Sequence, residues 1–187
     1  MPNRFSAEAT SIPGCWLLQR KPIADERGRF ERLFCAQDLA AWGHPGVIAQ
    51  ANRSTTIHAG AVRGMHFQNP PHGEWKVITC LIGAVYDVVV DLRRHSPSFL
   101  AWQAFELSEN ADVSLLVPPG CAHGFQVRRG PADMLYLHSH PYVPAADAGV
   151  RADDPRLAIV WPLPIAHCSA RDQQHPLIDT LFTGLTL

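Results

Sequence analysis

The chain has 187 residues, 47% hydrophobic and 18% charged, with a formal net charge of −1 and a sequence pI of about 6.8. That length and apolar share suit one globular domain over residues 1–187, with enough apolar side chains for a core. The near-zero charge excludes the domain-wide basic field that nucleic acid requires, so an anionic ligand would need a local basic cluster.

No apolar run reaches the length of a membrane span. Met1 to Gly14 is polar and lacks the charged-then-apolar order of a signal peptide. The five cysteines (Cys15, Cys35, Cys80, Cys121, Cys168) are scattered singly without a C-x-x-C pair. This argues against a disulfide framework or structural zinc and fits a reducing cytoplasm. There is no internal repeat or low-complexity tract, and the 16 prolines and 13 glycines are spread as turn punctuation.

In chain order, Phe34 to Trp42 is the best helix, stopped by Gly43 with Pro45 just beyond. Strands dominate from Val47 onward. Lys76 to Leu92 is rich in β-branched residues and broken by Gly83, which reads as two strands and a tight turn. Ala101–Leu107, Val113–Val117, Gly124–Val127 and Met134–His138 continue the series. They are separated by Ser96-Pro97-Ser98, Glu109-Asn110, Pro118-Pro119-Gly120 and Arg129-Gly130-Pro131. The tail after Pro155 is irregular, with a short helix near Ala170 to His175. Short strands at this spacing predict a mainly β sandwich or closed barrel with few helices.

Three neighbourhoods carry chemistry: Arg63-Gly64-Met65-His66-Phe67-Gln68 with Lys76; Pro118-Pro119-Gly120-Cys121-Ala122-His123-Gly124-Phe125; and Tyr136 to Tyr142 with Asp172. Strand alternation places Arg63 with Met65 and Phe67, opposite His66 and Gln68, so a twist or bulge is needed to bring Arg63 and His66 to one cavity. Taken singly, each residue has a plain structural role: a hydrogen-bonded histidine, an edge lysine, a packing tyrosine, an N-cap aspartate.

Together the segments closely resemble the dTDP-4-dehydrorhamnose 3,5-epimerase family, from about Ile23 to Pro176. The matching pieces are Glu26-Arg27-Gly28 with Phe30 and Phe34, and Gln50-Ala51-Asn52-Arg53-Ser54. VRGMHFQ at Val62 to Gln68, Lys76 and Asp87 to Arg93 follow. PPGCAHGF at Pro118 to Phe125, Tyr136, Tyr142, Asp153-Asp154-Pro155, Trp161-Pro162-Leu163 and Ser169-Ala170-Arg171-Asp172 complete the set. The resemblance implies a cupin-type jelly-roll barrel in a homodimer. It also implies inversion at C3 and C5 of a 4-keto-6-deoxyhexose carried on dTDP, a step toward rhamnose for cell-surface polysaccharide such as lipopolysaccharide. By the same resemblance His66 matches the general base, Asp172 its carboxylate partner, Tyr142 the acid for the opposite face and Lys76 the cation at the keto oxygen. Arg63 and His123 match residues lining the sugar and diphosphate region, and Tyr136 is expected as a further substrate-binding residue. Arg27, Phe30, Gln50 and Asn52 match the nucleotide cleft, the first two reaching across the dimer interface.

These roles make chemical sense. A 4-keto group acidifies the hydrogens on C3 and C5, and histidine is a base suited to neutral pH. A paired carboxylate fixes the imidazole tautomer. A donor fixed at the enolate oxygen is worth about 3–4 kcal/mol. No hydride moves and no dinucleotide fingerprint is present, so no cofactor is expected. Metal-binding cupins usually carry H-x-H; here Phe67-Gln68 follows His66, leaving His66, Glu74 and His123 as scattered candidates, and no metal is expected.

The chain departs from the family in three places. The family's Arg-Gly-x-Phe-x-Glu ends here in Arg32, with Glu31 one place early, which bears on base preference. Glu74-Trp75 stands where Gln-Gly is common before Lys76, so a bulky Trp75 is expected to narrow the sugar pocket. Arg53 stands where histidine is common. An epimerase restricted to C3 or C5, or acting on another nucleotide sugar, remains as an alternative reading. Metal-dependent cupin enzymes and non-catalytic sugar-nucleotide binders are further classes.

Overall fold

A computed structural model describes residues 3–187. The strands are β1 (Phe5–Ala9), β2 (Trp16–Arg20), β3 (Ile23–Asp25), β4 (Gly28–Phe30), β5 (Gln50–Thr56) and β6 (Val62–Gln68). They continue with β7 (Lys76–Asp91), β8 (Trp102–Ser108), β9 (Val113–Val117), β10 (Cys121–His138) and β11 (Asp147–Gly149). Two short helices, α1 (Ala36–Leu39) and α2 (Ala170–Gln173), complete the set.

Strands β7 and β10 pair antiparallel along their length. The first half of β7 also pairs with β9 and its second half with β8. The first half of β10 pairs with β6 and its second half with β5. The result is two layers, β1-β2-β9-β7-β10-β5 and β8-β7-β10-β6-β11, which share β7 and β10. This is the mainly β sandwich that the turn spacing predicted, in the jelly-roll form that the resemblance implied.

The expected turn at Gly83 is instead a bend within one continuous strand, and Arg129-Gly130-Pro131 likewise lies inside β10. Gly83 has φ 82°, and a Cβ there would come within 2.4 Å of the Pro131 carbonyl oxygen, so only glycine fits. The ladder slips between Val127 and Asp133 and then resumes. The slip flips the alternation of β7. Before it Ile78 and Cys80 face the interior and Val77 faces out; after it Val85 and Val89 face in and Val88 and Val90 face out.

Between the layers lie Ile78, Val85, Val89, Leu107, Leu115, Phe125 and Met134, each almost wholly buried. Burying each such side chain contributes about 1.5–3 kcal/mol. The outer face of one layer is covered by the C-terminal tail, which brings Leu157 and Ile178 onto Met65, Val88 and Val90. The other is covered by α1, whose Leu39 meets Leu18, Val77 and Leu116.

Helix α1 is shorter than the predicted Phe34 to Trp42. It starts after Cys35, which supplies no side-chain cap, and tightens into a single 3₁₀ turn (Ala40–Trp42). Gly43 stops it in the left-handed region at φ 92°. Trp75 lies against Gly43 and His44 on the outer face, its ring centroid 6.2 Å from that of His44. It therefore does not narrow the sugar pocket: alternation turns it outward and its neighbour Lys76 inward. No helix among the described residues is long and apolar enough to cross a membrane.

Candidate active site

A cavity of about 300 Å³ opens into the sandwich, lined by Gln50, Asn52, Arg63, His66, Lys76, His123, Tyr136 and Tyr142 among others. Eight of the eleven residues singled out in the sequence thus meet in one place. The layer containing β5 and the first half of β7 supplies Gln50, Asn52 and Lys76. The other supplies Arg63 and His66 from β6 and His123 from β10.

Arg63 and His66 share the cavity because β6 bulges. His66 pairs with His123 and Arg63 with Phe125, so Gly64 and Met65 lie opposite the single residue Gly124. The extra residue resets the alternation. Gly64 has φ 127°, and a Cβ on it would come within 2.5 Å of the Gly124 Cα. The glycines of Arg-Gly-x-His and His-Gly-Phe are therefore needed for each other: they let two backbones touch.

His66 donates from Nε2 to Asp172 Oδ1 at 2.8 Å. In the neutral ring this leaves Nδ1 as the nitrogen with a free lone pair. Asp172 sits in the first turn of α2, where its backbone N–H donates to the N-cap Ser169 hydroxyl at 3.0 Å. Its Oδ2 accepts from the Gly64 N–H at 3.3 Å. Burial would raise the Asp172 carboxyl, but the hydrogen bond and charge of His66 outweigh it and hold the pKa below the usual carboxylate value. Asp172 is therefore an anion, fit to support a protonated His66.

A second pair lies deeper. His123 Nε2 donates to both oxygens of Asp87 at 2.8 and 2.9 Å, and Asp87 is fully buried. Burial pushes the Asp87 carboxyl up, opposed by His123. Tyr136 stands edge-on to His123, with ring centroids 6.1 Å apart, and its hydroxyl meets the Ser54 hydroxyl at 3.2 Å. Burial raises the Tyr136 phenol well above its ordinary value, so it stays protonated.

Lys76 is 6% exposed, an unusual place for an ammonium group. Its Nζ lies 3.1 Å from Glu74 Oε1 and donates to the His66 carbonyl at 3.1 Å. Glu74 also accepts from Gln68 Nε2 at 3.0 Å. His138 is pushed down to about 4 by burial and by Lys76, so it is neutral and adds no charge. Glu74, read from the sequence only as a possible metal ligand, and Gln68 and His138, read only as parts of wider motifs, thus border Lys76. The signals were the unusual glutamate two positions before Lys76 and the motifs that contain Gln68 and His138.

Tyr142 is half exposed at the mouth. Its hydroxyl donates to Asp147 Oδ2 at 3.0 Å, and Asp147 is in turn paired with Arg171. The hydrogen bond to Asp147 raises the Tyr142 phenol. Gln50 accepts from the Tyr142 backbone N–H at 2.9 Å and its Nε2 donates to Asn52 Oδ1 at 3.1 Å. The residues matched to the nucleotide cleft thus also hold the tyrosine segment. Arg63 donates from Nε to the Thr56 hydroxyl at 2.8 Å.

Arg27 and Phe30 do not reach this cavity. They lie on the β3–β4 hairpin, with Phe30 71% exposed and Arg27 ion-paired to Asp25. Glu31 is drawn to the buried Arg20 at 2.7 Å, while Arg32 pairs with Asp38 at 3.2 Å.

The cupin-type metal position does not suit an ion here. Glu74 is neutralised by the Lys76 ammonium, and Asp87 holds the Nε2 of His123. Among the described residues, one group offers three metal-ligating atoms within 4.8 Å of one another: His66, Asp172 and His175.

Comparison with known proteins fits this geometry. The family model for dTDP-4-dehydrorhamnose 3,5-epimerase matches residues 9–180. A dTDP-4-dehydrorhamnose 3,5-epimerase of Streptomyces griseus is 40% identical over 168 residues, 89% of this chain and 83% of that protein. A dTDP-4-dehydrorhamnose 3-epimerase of Streptomyces niveus is also 40% identical over 168 residues, covering 89% and 81%. The crystal structure of the 3,5-epimerase of Bacillus anthracis with TDP and PPi bound superposes with a TM-score of 0.89 at 35% identity, covering 93% of this chain and 99% of that one. The chain belongs to the dTDP-4-dehydrorhamnose 3,5-epimerase family and is an isomerase of that type.

Proposed function

We propose that this protein inverts C3 and C5 of a dTDP-linked 4-keto-6-deoxyhexose, turning dTDP-4-dehydro-6-deoxyglucose into dTDP-4-dehydrorhamnose. The observation that carries the reading is His66, bonded to the anionic Asp172 and lining one cavity with the buried Lys76.

In this reading Nδ1 of His66 takes the hydrogen next to the keto group, and Asp172 supports the resulting imidazolium. Lys76 faces the keto oxygen as it gains negative charge. Its burial strengthens that interaction, and Glu74 and the His66 carbonyl hold it in place. Tyr142 returns a proton to the other face of the sugar. Asp147 keeps the phenol protonated but also receives its hydrogen, so delivery to carbon requires the ring to turn away from Asp147. Arg63 brings positive charge to the diphosphate, and Gln50 and Asn52 border the nucleotide end. His123, fixed by Asp87, and Tyr136 form the floor beneath the sugar.

The active form in this proposal is a homodimer. The β3–β4 hairpin pairs with no other strand among the described residues and exposes Phe30. In the dimer it carries Arg27 and Phe30 to the neighbouring site. A monomer in sedimentation at working concentration would remove this part.

A second reading, inversion at C3 alone, is favoured by the equal identity to the S. niveus 3-epimerase. Proton NMR of dTDP-4-keto-6-deoxyglucose in deuterated water separates the two. Deuterium at both C3 and C5 is expected. Deuterium at C3 only would establish the second reading, and no exchange at all would overturn both.

A further inference from the structure

Behind the His66–Asp172 pair stands a third group that the proposed reaction does not use. His175 follows α2 by two residues, and its ring turns back toward the pair. Its Nε2 lies 3.9 Å from Asp172 Oδ1, and its ring stands edge-on to His66 with centroids 5.9 Å apart. The side chain is 12% exposed, and its Nε2 is buried without a hydrogen-bond partner in the protein. Buried imidazole nitrogens are ordinarily paired, so this one is a donor atom without an assignment. The ring packs on the bare backbone of Gly149, where a Cβ would fall 2.4 Å from His175 Nε2. Any larger residue at 149 would displace it.

His66 Nε2 and His175 Nε2 lie 2.8 and 3.9 Å from the same Asp172 oxygen, and one ligating atom from each of the three side chains lies within 4.8 Å of the other two. Two imidazoles and a carboxylate are a donor set that zinc-type divalent ions accept, at roughly 2.0–2.2 Å from each atom. Donors sharing one such ion lie roughly 3–4 Å apart. Small side-chain adjustments therefore suffice to bring the three to one ion.

We propose that His66, Asp172 and His175 form an inhibitory site for a divalent transition-metal ion of the zinc type. It shares His66 with the cupin-type metal position but replaces that position's Glu74 and His123 with Asp172 and His175. The inhibitory effect rests on the reading of His66 as the base. An ion on His66 Nε2 moves the single ring proton of neutral His66 to Nδ1, the nitrogen that must accept the sugar's proton. It also occupies Asp172, so the base loses its lone pair and its partner together.

The test uses two independent readouts on the full chain: visible absorption of added Co²⁺, and solvent-deuterium exchange with added Zn²⁺. Wild type is expected to give a cobalt band at one ion per chain and to lose exchange with Zn²⁺, recovering on addition of EDTA. His175→Asn, or His175→Gln if the first does not fold, should keep the metal-free exchange rate. Both effects should then need at least about tenfold more ion. Absence of the cobalt band in wild type, or equal zinc sensitivity of wild type and variant, would overturn the site. A cobalt band that His175→Asn abolishes, in a protein inactive even without metal, would instead overturn the reading of His66 and leave metal binding standing.

Discussion

His66 and His123 each hold an aspartate at 2.8 Å, yet the two pairs are built differently. The His66 side chain is 35% exposed, and its aspartate comes from a short helix 106 residues further along the chain. His123 is 6% exposed and its aspartate is fully buried on the adjacent strand. The first pair can exchange a proton with a ligand in the cavity. The second is held by the sheet ladder and works as a fixed wall. In the proposed function the same two side chains thus serve reaction or architecture according to exposure and to the element that carries the carboxylate.

The sharpest way to break this comparison is His66→Asn. We expect turnover and deuterium exchange at both carbons to fall by about 10²–10⁴-fold. Nucleotide binding, read by calorimetry, should stay near wild type; wild-type exchange in the variant would remove the base assignment. Tyr142→Phe comes next. Deuterium should still enter the substrate while net inversion slows by about 10²-fold. Parallel loss of exchange and inversion would show that Tyr142 serves the first proton transfer as well.

The buried side of the cavity is probed through stability. His138 has an ordinary unfolded value of 6.5 and a folded value of about 4. Above pH 6.5 both states are neutral and the contribution is fully present. As pH falls toward 4 the unfolded chain takes up a proton that the folded one refuses, and stability drops by about 2–3 kcal/mol. Urea unfolding from pH 7 to 4 should show that drop, and His138→Gln should flatten it. Asp87→Ala leaves the buried His123 N–H unpaired and should cost about 1–3 kcal/mol. It should slow turnover less than His66→Asn does. A turnover loss equal to that of His66→Asn with unchanged stability would make the buried pair a chemical one and dissolve the contrast.

Much of this was legible in the sequence where a local signal exists. Gly43 ends its helix, and Val113–Val117 is a strand with the expected bounds. The motifs around His66, His123 and Tyr142 meet in one cavity. What could not be read depends on partners distant in sequence. Gly83 looks like a turn because glycine marks both turns and bends; only the carbonyls of Arg129 and Pro131 show which it is. Strand parity separates Arg63 from His66, and only Gly124, opposite two residues of β6, brings them to one side. The facing of Trp75 is set by alternation with Lys76 and by its packing on Gly43 and His44, more than thirty residues earlier in the chain. His175 carried no signal at all, since its meaning comes from a buried nitrogen and the bare Gly149 beside it.

Because β7 and β10 each pass through both layers, the walls that carry Lys76 and His123 are two stretches of the same hydrogen-bonded ladder. The sandwich has no seam along which it could open like a pair of jaws. Admission of a nucleotide sugar therefore falls to the rim, above all the 139–146 segment bearing Tyr142. In the proposed reaction the lysine and the two histidines meet each incoming substrate as a fixed template, and only the half-exposed Tyr142 ring, on a backbone held by Gln50, has to turn.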